Sequence, residues 1–265
     1  MDFRAYCKVD LQLASSSVKN HSEQAKRFLI WLGDRTASIE LLREYLSSFE
    51  AKSPATYANV LKSLKVLCRD FLGKPDLVSS FRFPNIPVEP KEIPDKKSLQ
   101  QFLNEIVTTK ERSLFLLYAA SGLRRREILG LDVNDVDLED RMIRPKPHEG
   151  RTKHTWVGFF NNEAAVTLKE YLSSRQDKSS KLFPMSTKNE RQMWRGATTK
   201  TGLSITPQVL RKWFCEEMGR LGVQDRYIDA FCGRVPKSVL ARHYSDYAPD
   251  KLKEIYDSAD LKVLS

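Results

Sequence analysis

The sequence predicts a mainly α-helical chain with a small β-sheet, divided into two domains, and three patterns carry that expectation. Apolar residues recur at helical spacing through most of the chain, as in Tyr57, Val60, Leu61, Leu64, Leu67, Cys68 and Phe71. Short strand-like runs are confined to 136–138, 142–143 and 155–160. Pro84, Pro87, Pro90 and Pro94 fall within eleven positions, a density that ends a helix and favours an extended spacer. The expected boundaries are a helical domain at 1–83, a proline-rich linker at 84–94 and an α+β domain at 95–265.

In the first domain, Val18, Ala25, Phe28, Leu29 and Leu32 share one helical face that ends near Gly33, and Ile39, Leu42, Tyr45, Leu46 and Phe49 form a second. Ser53-Pro54 reads as an N-cap followed by proline at the first helical position, opening a third helix that stops at Gly73. After the linker, Asp95 caps a helix through Leu99, Phe102 and Ile106. The stretch 113–120 is apolar nearly all round, which predicts a buried helix ending at Ser121-Gly122. A further helical element begins at 124–129. The strand-like runs then predict a hairpin with residues 145–153 as its loop. Helical patterns follow at 163–172, 206–221, 223–232 and 249–256.

The 265 residues include 44 Lys+Arg against 34 Asp+Glu, a net charge of +10. With 41% hydrophobic residues the chain can build a core, so a disordered chain is excluded. No run approaches the roughly 20 apolar residues that a membrane helix needs, and the first residues hold no apolar leader segment, so a cytoplasmic protein is expected. Cys7, Cys68, Cys215 and Cys232 form no CxxC pair and read as reduced, mostly buried thiols. The positive excess points to a polyanionic partner, nucleic acid before an anionic membrane surface. Residues 175–212 carry nine basic side chains against Asp177 and Glu190, a stretch that reads either as a solvated face or as a phosphate track.

Several catalytic templates are missing. There is no GxGxxG, GxxxxGK[ST], GxSxG or HExxH, and the acidic residues form no DxD-type cluster. What remains is cationic. Arg124, Arg125 and Arg126 sit between two apolar stretches, 114–120 and 128–131, so an arginine there is partly buried and needs a partner. Glu127, one helical turn from Arg124, can serve on the protein side and a phosphate on the ligand side.

At these residues the sequence resembles the tyrosine recombinases, the family of phage-type integrases and Xer-like recombinases. Ser121-Gly122-Leu123-Arg124 with Glu127 is similar to that family's first arginine box, and Gly150-Arg151-Thr152-Lys153 to its lysine turn. Thr206-Pro207-Gln208-Val209-Leu210-Arg211 resembles the second arginine box. Cys232-Gly233-Arg234 followed by Ala241-Arg242-His243-Tyr244 resembles the box that holds the nucleophile, in wording similar to archaeal and archaeal-virus members. Four boxes in family order over about 120 residues are far more specific than any one of them. The helical N-terminal part matches the family's core-binding domain, and residues 95–265 its α+β catalytic domain.

The resemblance implies a site-specific DNA recombinase or integrase. A tyrosine hydroxyl attacks a DNA phosphodiester, leaving a 3′-phosphotyrosyl link and a free 5′ hydroxyl. The bond energy is retained, so no ATP, metal or cofactor is expected. Carried over residue by residue, Arg124 and Arg211 meet the charge on the phosphate oxygens. Lys153 protonates the leaving oxygen, and Tyr244 is the nucleophile. Gln208 stands where the family usually has His, and can donate a hydrogen bond but cannot act as a base. Arg234 stands where His or Lys is expected, and can stabilise charge but not shuttle a proton. Lys146 competes with Lys153, and Tyr247 is the alternative nucleophile. His148 and His154 read as loop histidines, and His243 can assist Tyr244.

The implied partner is double-stranded DNA with a specific recombination site, bound by four subunits on two sites in the host cytoplasm or nucleoid, with no membrane. The segment after Tyr244 is expected to dock on a neighbouring subunit, through Leu252, Ile255, Tyr256, Leu261, Val263 and Leu264; packing on its own domain is the alternative. Two other functions fit the same motifs: a type IB topoisomerase-like relaxation enzyme, and a catalytically weak DNA-binding protein of the same fold.

Overall fold

Local chemistry sets most of the helix starts. Ser53, Asp95, Thr108, Asn161, Ser186 and Thr206 each accept a hydrogen bond from a backbone N–H of the first turn that follows, and Pro54 and Pro207 occupy first positions where a missing N–H costs nothing. The computed structural model describes residues 2–87, 92–146, 155–234 and 246–264. The chain divides into two compact units, Met1–Pro90 and Lys91–Ser265, and the division falls inside the proline-rich segment.

The N-terminal unit holds α1 (Phe3–Val9), α2 (Ser15–Leu32), α3 (Ile39–Ser47), α4 (Pro54–Lys65) and α5 (Asp76–Ser79). Helix α1, of seven residues, and the single turn α5 are too short to show a helical period in the sequence. Helix α4 runs on as a wider π-helical turn, Val66–Phe71, and Gly73 ends it at φ +63°. The apolar stripe from Val60 to Cys68 is buried as its spacing predicts. On α2 the expected face needs a correction: Leu29 is half-exposed, and His21 is buried instead. His21 earns that position through Ser63 Oγ, 2.9 Å from its Nδ1.

The second unit is built around α7 (Thr109–Ser121), with every residue from Ser113 to Ser121 buried. Helices α9 (Asn162–Ser174) and α11 (Pro207–Arg220) pack against it, and α6 (Lys96–Asn104) packs against α10 (Thr187–Thr201). A left-handed Gly122 closes α7, and α8 (Arg125–Gly130) follows. Strands β1 (Val136–Asp137), β2 (Met142–Ile143) and β3 (Gly158–Phe159) form an antiparallel sheet in the order β1-β2-β3. Met142 faces Phe159 and Ile143 faces Gly158, so the hairpin is real, although only two residues of the predicted returning run join the sheet. Helix α12 is Asp225–Phe231 and α13 is Pro249–Ser258. No helix among the described residues is long and apolar enough to cross a membrane.

The described part of the segment after Tyr244 packs on its own unit, the alternative that the sequence left open. Leu252, Tyr256, Leu261 and Val263 are buried in the same core as α7. Tyr256 Oη donates to Ala120 O (2.7 Å), and Asn161 Nδ2 donates to Leu261 O (3.0 Å). Glu163 accepts from the backbone N–H groups of Val263 and Leu264 at 2.6 and 3.1 Å.

Candidate active site

The site begins where α7 stops. Gly122 has φ +62°, and a Cβ on it would lie 2.3 Å from Cδ1 of Phe214, so both conformation and space require glycine. The turn it makes puts Arg124 at the N-cap of α8. Glu127, 6% exposed, accepts from the Arg124 backbone N–H at 2.7 Å and from Arg124 Nη1 at 3.0 Å. It also accepts from the Thr155 N–H at 3.3 Å, linking α8 to the segment before β3. The partner anticipated for a half-buried Arg124 is therefore present.

Arg211 lies on the second turn of α11 and is 7% exposed. Its Nη1 donates to Gly122 O, and its Nη2 to Cys232 O at 2.6 Å. Arg124 Nη2 donates to the next carbonyl, Gly233 O, at 3.1 Å. One short turn at the end of α12 thus fixes both guanidiniums. Burial pushes the Arg211 pKa down, yet a guanidinium starts high enough to remain charged. Each guanidinium has five N–H donors, more than these bonds consume, so both can take a further anionic ligand.

The same turn leads into Arg234, whose Nη1 donates to Asp229 Oδ1 at 2.9 Å and whose Nη2 reaches Cys215 Sγ at 3.6 Å. Gln208 is exposed on the first turn of α11, three residues before Arg211 and so on the same side of the helix. Arg124, Arg211 and Arg234 are thus gathered by the α7–α8 turn, α11 and the end of α12, with Gln208 one helical turn before Arg211. Lys153 and Tyr244 lie outside the described residues, as do His148, His154 and His243.

The two competing residues are held elsewhere. Lys146 is in a salt link with Asp132, which raises its pKa above the usual lysine value and so holds its proton more tightly. Hydrogen bonds from Lys146 and Lys181 bring the Asp132 carboxyl down to about 2. Tyr247 packs edge-on between Trp156 and Tyr227, and its hydroxyl is buried with no partner among the described residues.

The basic stretch 175–212 divides in two. Arg175, Lys181 and Lys200 are paired with Asp177, Asp132 and Glu105. Helix α10, unanticipated from the sequence, exposes Lys188, Arg191 and Arg195 and buries Glu190, Trp194 and Ala197. Glu190 accepts from Arg125 Nε, from Tyr118 Oη at 2.9 Å and from Trp194 Nε1 at 3.3 Å. Arg125 is thereby pinned to α10. Among the described residues no group of three or more His, Cys, Asp or Glu side chains is placed to hold a metal ion.

Residues 94–250, more than half of the chain, match the phage integrase family. The chain belongs to that family. It is similar over nearly its whole length to tyrosine recombinase XerA of Thermococcus kodakarensis, with 26% identity over 98% of this chain and 94% of the relative. Against XerA of Saccharolobus solfataricus the identity is 30% over 134 residues, 49% of this chain and 45% of the relative. These archaeal relatives agree with the archaeal wording of the last box. The Tn1549 transposon integrase, solved in complex with circular intermediate DNA, shares the fold at a TM-score of 0.69 and 18% identity, over 95% of this chain and 96% of that one. A lambda integrase dimer bound to a COC′ core site matches at a TM-score of 0.67 and 14% identity, over 89% and 94%. The integrase is thus a tyrosine-type site-specific recombinase with the mainly helical fold and small sheet of those enzymes, and the relaxation-enzyme alternative is not favoured.

Sequence reasoning missed the parts of the cluster that are backbone or sulfur. The carbonyls of Gly122, Cys232 and Gly233 carry no side-chain signature, and only the glycine after a buried helix hinted at the first. Cys215 had one available signal, its place four residues after Arg211 and so on the same side of α11.

Proposed function

We propose that this integrase cuts and rejoins double-stranded DNA at a specific recombination site through a 3′-phosphotyrosyl intermediate on Tyr244. The observation that carries the reading is the pair of arginines, Arg124 and Arg211, fixed on the consecutive carbonyls of Gly233 and Cys232. The Tyr244 oxygen gives up its proton to water and attacks phosphorus, and the bond to the 5′ oxygen breaks. The two guanidiniums meet the charge that grows on the non-bridging oxygens, and because they are already positioned they need not reorganise as it develops. Lys153 protonates the leaving 5′ oxygen, the role for which Lys146, tied to Asp132, is poorly suited. Gln208 donates a hydrogen bond to the phosphate, and Arg234 adds positive charge beside it.

Rejoining is the reverse step: a 5′ hydroxyl from the partner strand attacks the phosphotyrosyl phosphorus and releases Tyr244. The energy of the broken bond is kept in the ester, so no ATP is consumed. The N-terminal unit acts as the core-binding domain, four subunits assemble on two sites, and the work is done in the cytoplasm or nucleoid where the DNA lies. The net charge of +10 supports this partner, because phosphate neutralisation supplies most of the affinity and makes it fall with salt.

A suicide DNA duplex nicked beside the cleavage position tests the reading, since the fragment beyond the nick diffuses away and traps the covalent complex. A site-dependent adduct on the 3′ end is expected. No adduct on a verified site would leave only DNA binding.

A further inference from the structure

Cys215 and Cys232 meet inside the arginine cluster. Cys215 stands one turn beyond Arg211 on α11, and Cys232 follows α12 directly before Gly233 and Arg234. Their sulfurs are 3.4 Å apart, and both cysteines are free. A disulfide bond is about 2.05 Å long, so closing the pair takes a movement of about 1.4 Å. The other two cysteines, Cys7 and Cys68, belong to the N-terminal unit.

The two thiols are not equivalent. Cys215 is partly exposed and has Arg234 Nη2 at 3.6 Å, whereas Cys232 is fully buried. The hydrogen bond from Cys232, with Arg234 and Arg211 nearby, outweighs burial and lowers the Cys215 pKa below the ordinary thiol value. The same hydrogen bond and burial push Cys232 up. Cys215 is therefore the nucleophile of the pair and Cys232 the resolving thiol.

We propose that Cys215 and Cys232 form a reversible dithiol–disulfide pair, oxidised by hydroperoxides, whose closure displaces the turn that holds the arginines and so suppresses DNA cleavage. In the first step the Cys215 thiolate attacks a peroxide oxygen. The O–O bond breaks, hydroxide leaves and takes up a proton, and Cys215 becomes a sulfenic acid. The Cys232 sulfur then attacks the Cys215 sulfur as its thiol proton departs with the hydroxyl as water. Two thiols and one hydrogen peroxide give one disulfide and two waters, and an external thiol reverses the change. Arg211 is hydrogen-bonded to the Cys232 carbonyl and Arg124 to the Gly233 carbonyl, so drawing Cys232 toward α11 moves both anchors. A misplacement of about 1 Å at a reacting centre can cost roughly 100-fold in rate. The catalytic half of this inference rests on the function proposed above; the cross-link itself does not.

The test treats the full-length protein with hydrogen peroxide, blocks the remaining thiols, and maps tryptic peptides without reduction. The expected result is that peptides 213–220 and 227–234 are joined and that free thiols fall from the four of the reduced chain to two. Adduct yield on nicked DNA should fall at least about tenfold and return with dithiothreitol. In Cys215→Ser and Cys232→Ser the joined peptides should be missing and adduct yield should no longer respond to peroxide. Sulfinic acid at Cys215 without joined peptides, or cross-links confined to Cys7 and Cys68, would overturn the pair. Joined peptides with undiminished adduct would overturn the catalytic half. A reduced protein that yields joined peptides on oxidation but never an adduct would support the pair and count against the recombinase reading.

Discussion

Arg124 and Arg211, from different helices, hydrogen-bond to the consecutive carbonyls of Gly233 and Cys232, at 3.1 and 2.6 Å. Both arginines are thus spaced by one turn at the end of α12. Glu127 fixes Arg124 from one side, and the Gly122 carbonyl fixes Arg211 from another.

Arg124→Ala and Arg211→Ala should each slow adduct formation by roughly 10²–10³, about 3–4 kcal/mol, the range seen when an oxyanion donor is lost. Arg211→Ala should also lower thermal stability by about 1–3 kcal/mol, because two buried carbonyls lose their donor. Arg211→Lys should not restore the rate, since an ammonium lacks the planar fork that spans Gly122 and Cys232. Single-turnover cleavage at saturating DNA, with melting curves, measures both effects. Rates within about threefold of the wild type would be inconsistent with charge stabilisation by these residues.

Gly122→Ala should be among the most damaging single-methyl changes in the second unit. The new Cβ meets Phe214 at 2.3 Å in a left-handed conformation, and Phe214 is fully buried. Overpacking of this kind costs about 1–3 kcal/mol, and left-handed backbone adds about 1–2 kcal/mol. Denaturant unfolding should show that loss together with reduced cleavage, because the Gly122 carbonyl that holds Arg211 moves. A melting point equal to that of the wild type would contradict the packing.

Acid should weaken the N-terminal unit through His21. Burial is the main cause that lowers its pKa below the ordinary 6.5, with Lys62 adding to the effect. The unfolded chain therefore binds the proton more readily than the folded one. Stability is fully present above pH 6.5 and is lost as the pH falls through the folded-state value. His21→Gln should flatten that dependence between about pH 7.5 and 5. The readout is the thermal midpoint across that range; an equal slope in both proteins would exclude His21 as the cause.

Removing residues 258–265 should destabilise the second unit rather than spare cleavage of a single site. Leu261 and Val263 are essentially buried, and each is worth about 1.5–3 kcal/mol of transfer free energy. Glu163→Ala, which frees the Val263 and Leu264 backbone groups, should reproduce part of that loss. If the truncated protein melts like the full chain and cleaves normally, the packing of this segment on its own unit is not needed for the fold.

How much of this could be read from the sequence depended on whether the deciding contact was local. The caps Ser53 and Asp95, and the apolar stripe from Val60 to Cys68, follow from neighbours three or four residues apart, and they appear as predicted. Helix α10 was illegible because its inward face is a glutamate, a tryptophan and an alanine, and Glu190 is tolerated there only through Tyr118, Trp194 and Arg125. Leu29 turns outward although its spacing fits the inward face of α2, and His21 goes inward with Ser63, 42 residues away, as its partner. In the site, Arg124 with Glu127 is visible as a pair three residues apart, whereas the backbone anchors of the arginines are 109 residues away for Arg124 and 21 and 89 for Arg211.

Tyr244 is tested as the nucleophile by comparing the wild type with Tyr244→Phe on the nicked suicide duplex. The phosphotyrosyl peptide is identified by mass, and DNA affinity is measured in parallel. The wild type should form an adduct whose linkage maps to Tyr244, and Tyr244→Phe should bind the same DNA without forming one. An adduct from Tyr244→Phe at normal yield, with the link on Tyr247 or another residue, would contradict the account.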